Sequence, residues 1–153
     1  MSKTAASNPG DVSLAMTRYI RDRCLCLHAQ RAARGLARRF DHALRPLELT
    51  SGQFSLLVSL NRPTPARMGA VAALLAMDRT TLTAALKPLV RRGLMTIAIA
   101  SDDRRSRLLT LTPAGRALLA RAVPVWRRTH GELERWLANA DAHQLRRILR
   151  TLS

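Results

Sequence analysis

The sequence predicts a mainly α-helical chain that carries one small antiparallel β-hairpin. Apolar residues recur at steps of three and four along most of its 153 residues, the signature of amphipathic helices. The stretch 94–112 instead alternates at a period of two on either side of a charged loop, as a hairpin does. Helix-start signals punctuate the rest: Thr50 with Gln53, Asp78, Thr112 before Pro113, and Asp141.

Composition narrows the function classes. Lys and Arg number 26 against 10 Asp and Glu, a net charge of +16 and a pI near 11.9. Such an excess points to nucleic acid or an anionic membrane surface. A hydrophobic fraction of 47% excludes a disordered basic tail, and the length suits one domain with a real core. Aromatics make up only 3%, which argues against base-stacking platforms for single strands or RNA. The longest uncharged apolar run, 68–77, is too short to span a bilayer, and no apolar signal core follows Lys3. Cys24 and Cys26 are the only cysteines and suit a reducing compartment, so the expected location is cytoplasmic. There is no internal repeat.

In order along the chain, residues 1–10 are small, polar and Pro/Gly-containing, an expected disordered tail ahead of a single domain over 11–153. Residues 11–44 read as one long helix with a bend at Gly35, stopped by Pro46. A helix of that length cannot bury its whole stripe against so small a domain, so part of it is expected to meet another subunit. Arg31, Arg34 and Arg38 form a separate positive face, most simply a solvated one. Thr50 opens a second helix with Phe54, Leu57 and Val58 inward, and Thr64-Pro65 opens a third carrying Met68, Val71, Ala72 and Leu75. After a turn at 76–78 comes MDRTTLTAALKPLVRRG, residues 77–93. Asp78 caps this helix, and Leu82, Leu86 and Leu89 draw its buried stripe. Thr80, Thr83, Ala84, Lys87 and Arg91 turn away from that stripe, at about 100° per residue. Pro88 removes an amide from the ladder, so a bend is expected after Lys87. Gly93 supplies the left-handed stop.

An outward face of short hydroxyls and cations, with no acid beyond the cap, suits close approach to a polyanion. Two short helices joined by a tight turn form a helix-turn-helix, and the hairpin that follows is its wing. Residues 94–99 and 107–112 are the expected strands. In the loop SDDRRSR, 101–107, Asp103 is expected to pair with Arg105 and hold the loop's shape. Arginines at its tip suit a minor groove. Beyond it, Thr112-Pro113 starts a long helix that Pro124 is expected to kink, and Asp141 caps a last helix with Leu145, Ile148, Leu149 and Leu152 on one side. That much exposed leucine wants a partner surface, and with the long first helix it marks the expected two-fold dimer face.

The run MDRTTLTAALKPLVRRGLM, followed by DDRRSRLLTLTPAGRALL, resembles the MarR family of winged helix-turn-helix regulators. The matching features are the DRTTLT opening of the recognition helix, the RRGL exit, the D-x-R of the wing at Asp103 and Arg105, and LTLTPAG leading into the next helix. The likeness is close over 71–119, with Ala76 where the family often has Gly. The resemblance implies a winged helix-turn-helix lobe over 49–112. It also implies a helical dimerisation region drawn from both termini, 11–48 and 113–153. Two recognition helices would then enter successive major grooves of a pseudo-palindromic operator in double-stranded DNA, and a small molecule or an oxidant would release it.

The function expected is therefore a homodimeric, sequence-specific DNA-binding transcriptional regulator, a repressor released by a small-molecule effector, aromatic molecules included. Thr80, Thr81, Thr83 and Lys87 are the expected contacts to base edges or nearby backbone, with Arg79 at the helix entry. Arg104, Arg105 and Arg107 serve the minor groove and phosphates. For effector binding or sensing, position alone suggests Cys24, Cys26, His28, Phe54 and Leu57. Within one helix Cys24 and His28 share a face and Cys26 faces away, so the segment makes neither a tetrahedral metal site nor a local disulfide. A thiol sensor using Cys24 or Cys26 is the alternative within the same family, and a sequence-indifferent architectural DNA binder is the alternative outside it. A membrane-surface protein fits poorly, because the basic residues are spread through a compact helix-and-hairpin order. No catalytic constellation, metal-ligand spacing or cofactor motif appears, so the expectation is a non-enzyme without a cofactor or metal.

Overall fold

The computed structural model describes residues 11–137 and 141–152. The expected disordered tail, 1–10, lies outside the described residues. The chain divides into two compact units, one up to Leu36 and one from Ala37 onward.

In the first unit, Ser13 caps α1 (Leu14–Arg23) by accepting the Met16 amide at 3.1 Å. A second helix, α2 (Leu25–Leu44), follows at once. The single helix expected over 11–44 is thus two helices, parted at Cys24 and not bent at Gly35, which lies inside α2. Cys24 takes an extended ψ of 106°, yet its amide still reaches the Ile20 carbonyl at 2.8 Å and its carbonyl receives the His28 amide at 3.1 Å. Its Sγ accepts from the Leu27 amide at 3.5 Å, so the thiol caps the new helix. The break therefore leaves few backbone groups unpaired, and it needs neither glycine nor proline to mark it. No described residue of this unit is fully buried; Val12, Leu14, Met16, Tyr19 and Ile20 are all at least half exposed.

The second unit is built around a leucine core. Past the buried Leu44, Pro46 turns the chain through a short 3-10 segment, Arg45–Leu47. The reciprocal capping box of Thr50 and Gln53 then opens α3 (Ser51–Leu60). Phe54, Leu56, Leu57 and Leu60 of α3 are buried. Val58, expected inward, is 49% exposed, and Leu56 takes the inward place. A segment as apolar as SGQFSLLVSL offers no polar face from which to read its orientation. The third helix also begins later than Thr64-Pro65. Ala66–Arg67 is a strand, β1, paired with Leu109 and Leu108 of the hairpin, and α4 runs only over Met68–Leu74. Pairing with a strand distant in sequence outweighs the local proline signal.

The turn after α4 places Ala76 at φ 50°, the left-handed region where the absence of a Cβ is an advantage. Asp78 caps α5 (Arg79–Arg91): its carboxylate accepts the Thr81 amide at 2.8 Å and the Thr81 hydroxyl at 2.5 Å. α5 continues through Pro88 to Arg91, with Leu82, Leu86 and Leu89 all buried to 1% exposure or less. Burying each leucine contributes about 1.5–3 kcal/mol, enough to hold the helix together past a proline that costs about 3 kcal/mol. Gly93, at φ 67°, ends it and turns the chain into β2 (Met95–Ile99). β2 pairs antiparallel with β3 (Arg107–Leu111), giving a sheet in the order β1-β3-β2. Helix α6 (Pro113–Trp136) runs uninterrupted past Pro124 and Gly131, and Asp141 caps α7 (Ala142–Thr151). Among the described residues no single helix is long and apolar enough to cross a membrane.

The wing is fastened at its base. The Thr112 amide donates to the Leu94 carbonyl at 3.1 Å, and the Thr112 hydroxyl donates to the Gly93 carbonyl at 2.7 Å while accepting the Gly115 amide at 3.1 Å. This brings α6 so close that a Cβ on Gly115 would lie 2.0 Å from the Leu94 carbonyl oxygen. Replacing Gly115 by Ala must push the helix off the hairpin at a cost of roughly 1–3 kcal/mol. The expected result is a melting temperature lower by about 3–10 °C, and a Gly115→Ala protein melting with the wild type would refute the tight junction. The Asp78 carboxyl, held below the usual carboxylate range first by the Thr81 hydroxyl and then by the Thr81 amide, makes a second prediction. A depressed folded value means the cap stabilises fully above about pH 4, the ordinary carboxylate value. That contribution is lost as pH falls through the lower folded value. Acid titration of stability should therefore be shallower for Asp78→Asn than for the wild type; identical acid limbs would contradict the cap.

Candidate nucleic-acid interface

The outward face of α5 follows from its sequence period. With Leu82, Leu86 and Leu89 committed to the core, Thr80, Thr83, Ala84 and Lys87 are left outside it. Together with Arg79 they line a shallow concavity of about 380 Å³. The Thr83 hydroxyl donates to the Arg79 carbonyl at 2.7 Å, which leaves its oxygen able to accept. Thr81 is exposed as well, and its hydroxyl proton is committed to Asp78.

The wing presents its charges beside this face. Arg104 and Arg105 are exposed at the loop, and Arg107 is half-buried at the start of β3. The Arg79 guanidinium donates to the Arg105 carbonyl at 3.2 Å, tying the entry of α5 to the wing tip. Arg79, Arg105 and Arg107 surround a cleft of about 250 Å³ with Asp103, Ser106 and the start of α4. Asp103 does not pair with the Arg105 guanidinium as expected. Its Oδ1 instead accepts the Arg105 backbone amide at 2.9 Å, two residues on, which shapes the loop and leaves that guanidinium out of the pair. Arg107 Nη1 donates to the Arg104 carbonyl at 2.9 Å. Asp102 pairs instead with Arg67, whose guanidinium holds its carboxyl below the ordinary range.

The positions suggested for effector sensing fare differently. Phe54 lines a cavity of about 600 Å³ with Ser55, Val58, Ser59, Leu74, Leu75, Val123, Trp126 and Arg127. Leu57 is fully buried in the core and does not line it. Cys24, Cys26 and His28 lie in the first unit, with Cys24 at the junction of α1 and α2 and the other two inside α2. Cys26 is an exposed free thiol whose Sγ accepts from Gln30 at 3.3 Å. The cavity's walls come from α3, the end of α4 and α6, and no local motif joins them in sequence. Phe54 and Trp126, both in its lining, stack with ring centroids 6.5 Å apart, and His130 stacks on Trp126 at 4.8 Å. His130 Nδ1 lies 3.7 Å from Glu134, which also accepts from Arg146 of α7 at 3.0 Å. Arg127 supplies a cation to the cavity wall. Among the described residues no cluster of His, Cys, Asp or Glu could hold a metal ion.

The MarR family model matches residues 49–106. The transcriptional activatory protein BadR of Rhodopseudomonas palustris is 35% identical over 109 residues, 68% of this chain, and the match spans 62% of BadR's own length. The transcriptional regulator MosR of M. tuberculosis, solved in complex with DNA, is 38% identical with a TM-score of 0.76 over 84% of this chain and 92% of its own. The transcriptional repressor CouR, solved bound to p-coumaroyl-CoA, is 26% identical with a TM-score of 0.76 over 93% and 97%. The chain belongs to the MarR family of winged-helix transcriptional regulators, a family of DNA-binding regulators and not of enzymes.

Proposed function

We propose that the protein is a homodimer that binds a pseudo-palindromic operator in double-stranded DNA and lets go when a small molecule fills the Phe54–Trp126 cavity. The observation that carries the DNA reading is the pairing of surfaces: hydroxyls and Lys87 along α5 beside a wing tipped by Arg104 and Arg105. α5 has no acid after Asp78, so nothing on that face repels phosphate. Thr80, Thr83 and Lys87 are assigned to base edges and adjacent backbone, Arg104 and Arg105 to the minor groove, and Arg107 to the loop and phosphates. Arg79 guards the helix entry, and Thr81 serves as a backbone contact through its remaining lone pairs. That MosR was solved on DNA supports the same mode here.

Dimerisation is supported by apolar surface left at both ends of the chain. Leu14, Met16, Tyr19 and Ile20 of α1 and Leu145, Ile148, Leu149 and Leu152 of α7 and its cap are exposed at 39–66%. A protein that kept this much aliphatic surface in water as a monomer would be prone to associate. The effector reading rests on the cavity: aromatic and aliphatic walls with Arg127 suit a planar apolar molecule bearing an anionic group. That CouR was solved with p-coumaroyl-CoA supports an aromatic ligand of this kind. Repression is the simpler sign of regulation for a protein that covers its site and is displaced.

Selection of random duplexes by the purified protein should return palindromes with half-sites about 10 base pairs apart, centre to centre. Lys87→Ala should weaken binding to the selected duplex while lowering the salt slope by about 0.9 for each phosphate that Lys87 neutralises. Selection that enriches nothing over random duplex would favour a sequence-indifferent binder and overturn the reading. For the cavity, aromatic carboxylates should quench Trp126 fluorescence, and Arg127→Ala should weaken them roughly tenfold or more while leaving the matching neutral amides unaffected. Equal weakening of acids and amides would remove Arg127 from the recognition.

A further inference from the structure

We infer that Arg67 and Asp102 form a strap that sets the wing's position against the DNA-reading lobe, making Arg67 a positioning residue for operator selectivity. This role rests on the DNA-binding reading above. Arg67 ends β1 and immediately precedes α4. Its Nη2 donates to the Asp102 carboxylate and its Nη1 to the Ser106 hydroxyl at 3.1 Å. Asp102 and Ser106 stand on opposite sides of the loop whose tip carries Arg104 and Arg105, so one guanidinium spans the loop's width. The planar fork is what allows two directed bonds at once; an ammonium on the same stem lacks that geometry.

The loop's own bonds fix its shape and not its tilt. Asp103 Oδ1 takes the Arg105 amide, the Ser106 amide reaches the Asp103 carbonyl at 2.9 Å, and the Ala100 amide reaches the Ser106 carbonyl at 3.1 Å. All of these partners lie within the hairpin and move with it. Among the described residues, the side-chain bonds that reach the loop from outside it come from Arg67, from Arg79 and from neighbouring Arg107. Arg79 grips a carbonyl at the tip, whereas Arg67 grips both flanks. A carboxylate on a wing meant for phosphate is repelled by the ligand, so Asp102 works against binding by its charge alone. A structural partnership with Arg67 accounts for its presence there.

Charge and position therefore predict opposite signs for the same substitution. If Asp102 is only a charge, Asp102→Ala tightens DNA binding; if it anchors the wing, Asp102→Ala loosens operator binding although a negative charge has gone. Exposed ion pairs are weak, so the effect is roughly fivefold per wing and roughly 25-fold for a dimer engaging both. The experiment titrates wild type, Arg67→Ala, Arg67→Lys, Asp102→Ala and the double alanine variant against the duplex selected by the wild type and a random duplex of equal length. The two side chains are 49% and 63% exposed, so every variant should fold and melt with the wild type. Each single variant should lose affinity for the selected duplex, the double should be no worse than the weaker single, and Asp102→Ala should bind random duplex slightly better than wild type. Arg67→Lys should behave as Arg67→Ala does. Undiminished binding of the selected duplex by Asp102→Ala, or by Arg67→Lys, overturns the strap and leaves the DNA reading intact. A wild type that cannot tell the duplexes apart fails that reading itself, and the strap with it.

Discussion

The close approach of Gly115 to the Leu94 carbonyl is the constraint on which the reading head depends. At that point α5 has ended, the hairpin begins and closes, and α6 departs. Leu94 donates its amide to Leu89 at 2.9 Å, inside α5, and accepts from Thr112 at 3.1 Å across the hairpin. Its carbonyl is also the atom that α6 crowds. One residue thus ties the exit of α5, both strands and the next helix together. A wing joined to the lobe only by its two chain ends would pivot freely. Here its base is fixed by hydrogen bonds to backbone groups, so only the outer loop is left to be oriented by side chains.

That division explains how the arginines are used. A net charge of +16 is more than a small interface requires, and several guanidiniums commit donors to the protein's own carbonyls. Arg79 bonds to Arg105, Arg107 to Arg104, and Arg92 to Glu48 at 2.5 Å. The last of these braces a residue held at φ 53° in the turn before α3. A guanidinium has five donors, so a bond to a carbonyl organises the group while leaving edges for phosphate. Long flexible cations that are already held in place lose less entropy when DNA arrives, which favours discrimination between sites over mere attraction. On the proposed reading, Arg104 and Arg105, exposed at the tip, would supply attraction by charge, and Arg79 and Arg107 would supply it with a fixed direction.

Features controlled by neighbouring residues were legible in the sequence. The Thr50–Gln53 box, the Asp78 and Asp141 caps, the proline start of α6 and the left-handed Gly93 each depend on groups within a few residues, and all formed as read. The hairpin was equally plain, because the change of period at Leu94 is sharp. What escaped depended on partners remote in sequence. β1 exists because Ala66 and Arg67 find Leu109 and Leu108, and nothing at 64–67 announces them. Leu56 and Val58 exchanged places because α3 is apolar nearly all round. The break at Cys24 is a one-residue excursion whose hydrogen bonds are largely retained, so it leaves no compositional mark. The cavity draws its walls from α3, α4 and α6, and only the fold brings Phe54 to Trp126.

The position of that cavity bears on how a ligand of the proposed kind would act at a distance from α5. Leu74 and Leu75 line it, and they end the short helix that leads through Ala76 directly to the Asp78 cap. Val71 of α4 and Leu82 and Leu86 of α5 are buried in one core, so α4 and α5 cannot yield separately without opening a void. On the proposed reading, a molecule bound between Trp126 and Leu74 would therefore bear on both helices as a unit. Release also has a thermodynamic requirement. To weaken operator binding a hundredfold, the ligand must bind the free form a hundredfold more tightly than the DNA-bound form, about 2.7 kcal/mol of difference. Apolar area contributes roughly 25 cal/mol per Å², so about 110 Å² buried in one form and exposed in the other meets that requirement. That is less than one aromatic ring's surface.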